Sequence, residues 1–214
     1  MNRVAFYGGS FDPVHNAHLT IAERLIDLFD LQKLIFVPAF HAPHKKNLKP
    51  TSAYDRYAML ALATSDKEKI EISKTELENP KEPYTIQTLH RLLKEFSDYQ
   101  IFFIIGADSW QEITTWRDWE EVLTIVNIIV VTRPGYPIVF DHVNEEIRRR
   151  IIDVRGKYQI SVSEALKIYI TDIVQSNASA TQIRRIIKEG KTDWKNLVPE
   201  NVARYIVKYG LYLK

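Results

Sequence analysis

An α/β fold with a Rossmann-like, open and mostly parallel sheet is what this sequence predicts, and three observations predict it. Short apolar runs alternate with segments whose apolar residues recur at helical spacing. The runs are continuously apolar, as in strands buried on both faces. The conspicuous polar motifs follow those runs, where open α/β sheets bind their ligands. Helices on both faces and a small helical carboxyl-terminal part complete the expectation.

In chain order, residues 3–7 (RVAFY) form a short buried strand ended by Gly8 and Gly9. A turn with Asp12 and Pro13 leads into a helix over about 17–29, on which Leu19, Ala22, Leu25, Ile26 and Phe29 share a face. Residues 33–40 (KLIFVPAF) give a second strand, and 41–50 (HAPHKKNLKP) a polar loop. A helix over 52–65, a short strand at 70–72 and a helix over 85–96 follow. Residues 100–105 are a strong strand ending at Gly106, and a tryptophan-bearing helical region separates it from a strand at 125–132. Residues 144–153 are expected to be helical and 168–171 a last strand. Helices over 179–188 and 202–209 are closed by Gly190 and Gly210.

The 214 residues suit one domain, 1–214, with 176–214 as its carboxyl-terminal helical subregion. At 45% hydrophobic and 26% charged residues, the chain has material for a core and is not a disordered segment. Cysteine is absent, which excludes disulfides, thiolate nucleophiles and cysteine-ligated metals. No apolar run approaches a membrane span and no secretory leader is legible, so the expected compartment is the cytoplasm. A net charge of +2 argues against a nucleic-acid partner; Arg148, Arg149 and Arg150 read as a solvated helix face. Oligomeric state is not legible.

Chemistry concentrates first in residues 8–18, GGSFDPVHNAH. Gly8 and Gly9 can bring backbone close to a ligand, and Ser10 adds a hydroxyl. His15 and His18 are three apart, so both imidazoles lie on one face near a helix amino end, where free amides attract anions. This arrangement suits a polyphosphate. It is neither a Walker loop nor a GxGxxG fingerprint. The alternatives are a capped glycine turn with two surface histidines, and a zinc site that lacks an evident third ligand.

The segment resembles the signature of the HxGH-type nucleotidyltransferase superfamily, and its GGSFDP start resembles bacterial nicotinate-nucleotide adenylyltransferases. Ala17 stands where the motif has glycine, and its added methyl should be tolerated. The resemblance extends along the chain. Pro43-His44-Lys45 is similar to the family's PHK loop, residues 83–89 (PYTIQTL) to its YTxxTL segment, and residues 105–109 (IGADS) to its GAD segment. Arg133-Pro134-Gly135 is similar to an RPG-like turn and residues 179–184 (SATQIR) to the SSTxIR motif, with Ala180 replacing a serine.

Physical readings stand beside these likenesses. Lys45 can shield a phosphate, and His44 can donate to one or tether its loop. Ser179 and Thr181 open a helix; they can cap it or hold β- or γ-phosphate beside Arg184. Asp108 follows a strand and can reach a ribose hydroxyl, or a magnesium ion through water. The resemblance implies that Trp116 stacks on the pyridine ring, while Trp110 and Trp119 pack. It implies that Tyr84, Thr85, His44 and Arg133 serve the acceptor, and that Gly8, Gly9, Ser10, Phe11, Gly106, Asp108, Ser179 and Thr181 surround ATP.

The implied reaction is attack of nicotinate mononucleotide on the α-phosphorus of ATP, releasing pyrophosphate, with His15, His18, Lys45 and Arg184 as the catalytic set. Mg²⁺ would arrive with ATP and not through direct protein ligation. The expected partners are small-molecule nucleotides, with no membrane or nucleic acid. The alternatives are a same-fold adenylyl- or cytidylyltransferase with another acceptor, such as nicotinamide mononucleotide or phosphopantetheine, and a non-catalytic nucleotide-sensing module.

Overall fold

The computed structural model describes residues 2–40, 51–81, 84–132, 137–173 and 178–213. Strand β1 (Asn2–Gly9) is followed by helix α1 (Asn16–Phe29), strand β2 (Lys33–Pro38), helix α2 (Ala53–Thr64) and strand β3 (Ile70–Ile72). A single turn of helix, α3 (Thr75–Glu78), precedes α4 (Thr85–Glu95) and β4 (Tyr99–Gly106). Next come α5 (Ala107–Gln111), a 3₁₀ turn at Ile113–Thr115, α6 (Trp119–Val122) and β5 (Asn127–Val131). Then follow α7 (Glu145–Arg148), β6 (Ile151–Asp153), β7 (Ile168–Thr171), α8 (Ala180–Lys188), a 3₁₀ turn at Asp193–Leu197 and α9 (Glu200–Tyr209).

The seven described strands make one parallel sheet in the order β3-β2-β1-β4-β5-β7-β6. Their continuous apolar sequences follow from burial on both faces. Ala5, Tyr7, Leu34, Phe36, Phe102 and Ile104 face a core shared with α1, α2, α8 and α9. The alternate residues Val4, Phe6, Ile35, Val37, Ile101 and Phe103 face a second core under α4, Trp110 and Val122. From β1 the chain winds outward through β2 and β3, then crosses to β4 on the other side. The carboxyl ends of β1 and β4 therefore flank the switch point at which such sheets open a crevice.

The mostly parallel α/β expectation is borne out. One segment differs: the helix expected over 144–153 lasts four residues, Glu145–Arg148, and Ile151–Asp153 becomes the outer strand β6. The Asn144 side chain caps that short helix, accepting from Ile147 N–H at 3.0 Å. Ile151 and Ile152 then find β7 as a parallel partner, and pairing outweighs the local helical pattern. Of the three arginines, Arg148 and Arg149 are exposed, as a solvated face requires, and Arg150 is half-buried. Arg148 Nε donates to the Phe140 and Val143 carbonyls, and Arg150 Nε to that of Leu166.

Candidate active site

Helix α1 begins at the carboxyl end of β1 because His15 keeps an extended backbone (φ −141°, ψ 168°) and acts as its N-cap. The His15 N–H donates to His18 Nδ1 at 3.2 Å, and the two rings stack with centroids 3.7 Å apart. An accepting Nδ1 places the proton of a neutral His18 ring on Nε2. His15 is 2% exposed and His18 half-buried. Phe11, itself 3% exposed, sets its ring edge-on to His18 at 5.1 Å and to Tyr7 at 5.5 Å. The Phe11 side chain therefore supports His18 from behind, and what this residue can offer a nucleotide is backbone. No acidic residue lies in the first turn of α1 to compete for its free amides.

The glycines serve close packing. A Cβ on Gly8 would stand 2.7 Å from the Phe103 ring, and one on Gly9 2.8 Å from the Phe11 ring. At the end of β4, a Cβ on Gly106 would stand 2.5 Å from Asp108 Oδ1, so the missing side chain makes room for that carboxylate. Asp108 is exposed, in the first turn of α5.

Helix α8 delivers Arg184 to the same loop. Its Nη1 donates to the Asp12 carbonyl at 2.6 Å and its Nη2 to Thr181 Oγ1 at 3.2 Å. Ser179 is the N-cap of α8, accepting from Gln182 N–H at 3.2 Å. So the serine is occupied as a cap and the threonine orients the arginine. The guanidinium has five N–H donors, which leaves three beyond these two bonds among the described residues.

Two further residues organise the loop, and the sequence reading did not single them out as site residues. Asp12, 6% exposed, accepts from Tyr212 Oη at 2.7 Å and from Thr51 N–H at 3.2 Å. Arg56, 1% exposed, donates to the carbonyls of Ser10 (2.6 Å), Ala39 (2.6 Å) and Thr51 (3.1 Å). Burial lowers the pKa of Arg56, and the facing Asp12, Tyr212 and Glu76 oppose that shift. The signal for Arg56 was present: it sits on the buried stripe of α2 with Met59, Leu60 and Ala63, a charge at apolar spacing. These bonds tie the flanks of residues 41–50 to the end of β1, as does the Ala39 N–H on the Gly9 carbonyl at 2.9 Å. His44, Lys45 and Arg133 lie outside the described residues.

Tyr84 is the N-cap of α4 and Thr85 its first residue, both half-buried. The Arg117 guanidinium lies over the Tyr84 ring at 4.9 Å, which brings the neighbour of Trp116 to the start of α4. Trp116 is half-buried beside the second core. Trp110 is fully buried, its indole N–H donating to the Val139 carbonyl at 2.8 Å, and Trp119 packs on the same core. Both have the packing role expected of them.

Glu76 lies near this side. Its carboxylate accepts from Phe40 N–H and Thr88 Oγ1, each at 3.2 Å. Burial pushes its pKa up to about 7, against the pull of those bonds and of Arg56 and Arg91. Among the described residues there is no cluster of three or more His, Cys, Asp or Glu side chains that could hold a metal ion, and no helix long and apolar enough to cross a membrane.

A parallel sheet with a switch point, stacked histidines at the first helix and an arginine closing on the same loop define a nucleotidyltransferase of the cytidylyltransferase-like class, whose family model matches residues 6–186. The chain belongs to the nicotinate-nucleotide adenylyltransferase family within that class. A Corynebacterium jeikeium protein named as a probable nicotinate-nucleotide adenylyltransferase is 34% identical over 206 residues, 96% of this chain and 98% of the relative. A Thermoanaerobacter protein of the same name is 37% identical over 213 residues, 99% of this chain and 95% of the relative. The fold is also similar to a solved structure of Plasmodium falciparum nicotinic acid mononucleotide adenylyltransferase complexed with NaAD. The TM-score is 0.73 at 19% identity, covering 99% of this chain and 98% of that one.

Proposed function

We propose that this protein transfers the adenylyl group of ATP to nicotinate mononucleotide, giving nicotinate adenine dinucleotide and pyrophosphate, and that it works as a single cytoplasmic domain on small-molecule nucleotides. The observation that carries the reading is the 2.6 Å bond from Arg184 to Asp12, which sets a guanidinium on the loop that leads into the stacked His15–His18 pair. These groups and the amides of α1 form a donor set for a chain of phosphates.

A phosphate oxygen of the acceptor forms a bond to the α-phosphorus, and the bond from that phosphorus to the bridging oxygen breaks. The electron pair leaves with pyrophosphate. The nucleophile is already anionic, so the protein needs no strong base; it must align the reactants and stabilise charge on oxygen. His18 Nε2–H donates to the oxygens of the transferring phosphate, with His15 behind it. The remaining Arg184 donors hold the departing pyrophosphate, and Lys45 draws acceptor and triphosphate together. Gly8, Gly9, Ser10 and the Phe11 backbone line the phosphates, with Gly106 and Asp108 across the switch point. Tyr84, Thr85, Trp116, His44 and Arg133 serve the acceptor. The donor set suits phosphate oxygens rather than a bare cation, so Mg²⁺ would be held by the nucleotide and its waters, with Asp108 beside them, and would shield phosphate charge.

The test pairs ATP or CTP, with Mg²⁺, against nicotinate mononucleotide, nicotinamide mononucleotide and phosphopantetheine, reading pyrophosphate release and product mass. Nicotinate adenine dinucleotide as the dominant product is expected. A dominant product from CTP or phosphopantetheine, or nucleotide binding without turnover, overturns the reading.

A further inference from the structure

Asp12 receives bonds from three separated parts of the chain. Tyr212 Oη reaches one carboxylate oxygen, the Thr51 N–H the other, and Arg184 the main-chain carbonyl. Tyr212 comes after α9, where Gly210 ends the helix in the left-handed region, and it takes φ +66° itself, a conformation that side chains disfavour. Its ring packs against the core under α1 and α8. Burial, and then Asp12, raise its pKa, so the hydroxyl remains a donor at working pH. Arg184 lies close enough to act on the same hydroxyl.

This places a buried carboxylate beside the guanidinium assigned to the triphosphate. The two are held apart in function: the carboxylate is taken by Tyr212 and Thr51, while Arg184 binds the neutral carbonyl of the same residue. We propose that Tyr212 is a positioning residue for adenylyl transfer, which occupies the Asp12 carboxylate and so keeps Arg184 directed at phosphate instead of pairing internally. The inference rests on the phosphate role given to Arg184 above.

Tyr212→Phe removes only the hydroxyl. The freed carboxylate oxygen would then compete with ATP for Arg184. The KM for ATP should rise about tenfold, the weight of one charge-assisted contact, while the KM for nicotinate mononucleotide stays within about twofold. Adding Asp12→Asn to Tyr212→Phe should bring the ATP KM back toward the parent, because a neutral amide forms no ion pair with arginine and competes far less for it. A merely structural hydroxyl would not be rescued that way. If the double variant does not fold, Tyr212→Phe is placed in an Arg184→Ala background, where it should leave the ATP KM unchanged. Equal shifts of both KM values, no shift, failure of Asn to restore ATP binding, or a further shift without Arg184 each overturn the proposal. An inactive parent would sink the functional reading itself; an active parent with an indifferent Tyr212→Phe would sink only this inference.

Discussion

The loop around Asp12, which we assign to phosphate, and the region around Trp116, which we assign to the acceptor, are held by different means. On the phosphate side the loop is fixed by long-range bonds: Arg56 from α2, Arg184 from α8 and Tyr212 from beyond α9 all converge on residues 10–12. On the acceptor side the links made by Arg117 lie near the surface. Arg117 pairs with the adjacent Asp118 at 3.6 Å, with both side chains more than half exposed, and stacks on Tyr84. The difference fits what each side is proposed to do. Charge that develops on phosphate oxygens is stabilised only by donors already in place, since reorienting them during reaction forfeits the gain. A pyridine ring is held by stacking and dispersion, which tolerate small displacements.

The largest expected effect is on the rigid side. His18→Ala should lower kcat/KM by roughly 10²–10⁴, about 3–5 kcal/mol of transition-state stabilisation, with helical content by circular dichroism unchanged. Activity within threefold of the parent would break the contrast at its strongest point. Trp116→Ala should raise the KM for nicotinate mononucleotide about tenfold and leave that for ATP within about twofold, since the indole is assigned to the acceptor alone. Equal weakening of both substrates in steady-state assays would remove that assignment.

Gly106→Ala probes the seam between the sides. The new methyl meets Asp108 Oδ1 and must push that carboxylate aside, so a loss of several-fold in kcat/KM with little change in melting temperature is expected. A fully active variant would show that the place of Asp108 does not matter.

The smallest effect concerns Glu76. Its pKa is raised from 4.5 to about 7 in the folded protein, so the folded state holds this proton more tightly than the unfolded chain does. The stability it contributes is fully present below pH 4.5 and is lost as pH rises through about 7. Glu76→Gln cannot titrate, yet it can still accept from Phe40 and meet Thr88. Its melting temperature relative to the parent should therefore be higher at pH 8 than at pH 5. The same difference at both pH values would place the titration elsewhere.

Much of this was legible before any coordinates. The first strand, the helix carrying His18 and the strand before Gly106 follow from apolar continuity and 3.6-residue spacing, both local signals. The strands at 70–72 and 168–171 coincide with β3 and β7. Strand β6 was illegible because three residues, Ile151–Asp153, carry too little pattern to outweigh the adjoining helical spacing, and their state depends on β7. Ser179 and Thr181 were visible as a helix start, but not that the first caps α8 while the second orients Arg184.

The sequence by itself determined the alternation of elements, the carboxyl-end placement of the motifs and the residue types that suit phosphate. These depend on side-chain periodicity and on chemistry carried within a few residues. Only the tertiary structure decided that Arg56, Arg184 and Tyr212 meet on one loop. Contacts separated by 46, 172 and 200 positions arise from how the sheet and its two helical layers close, and no local pattern encodes that.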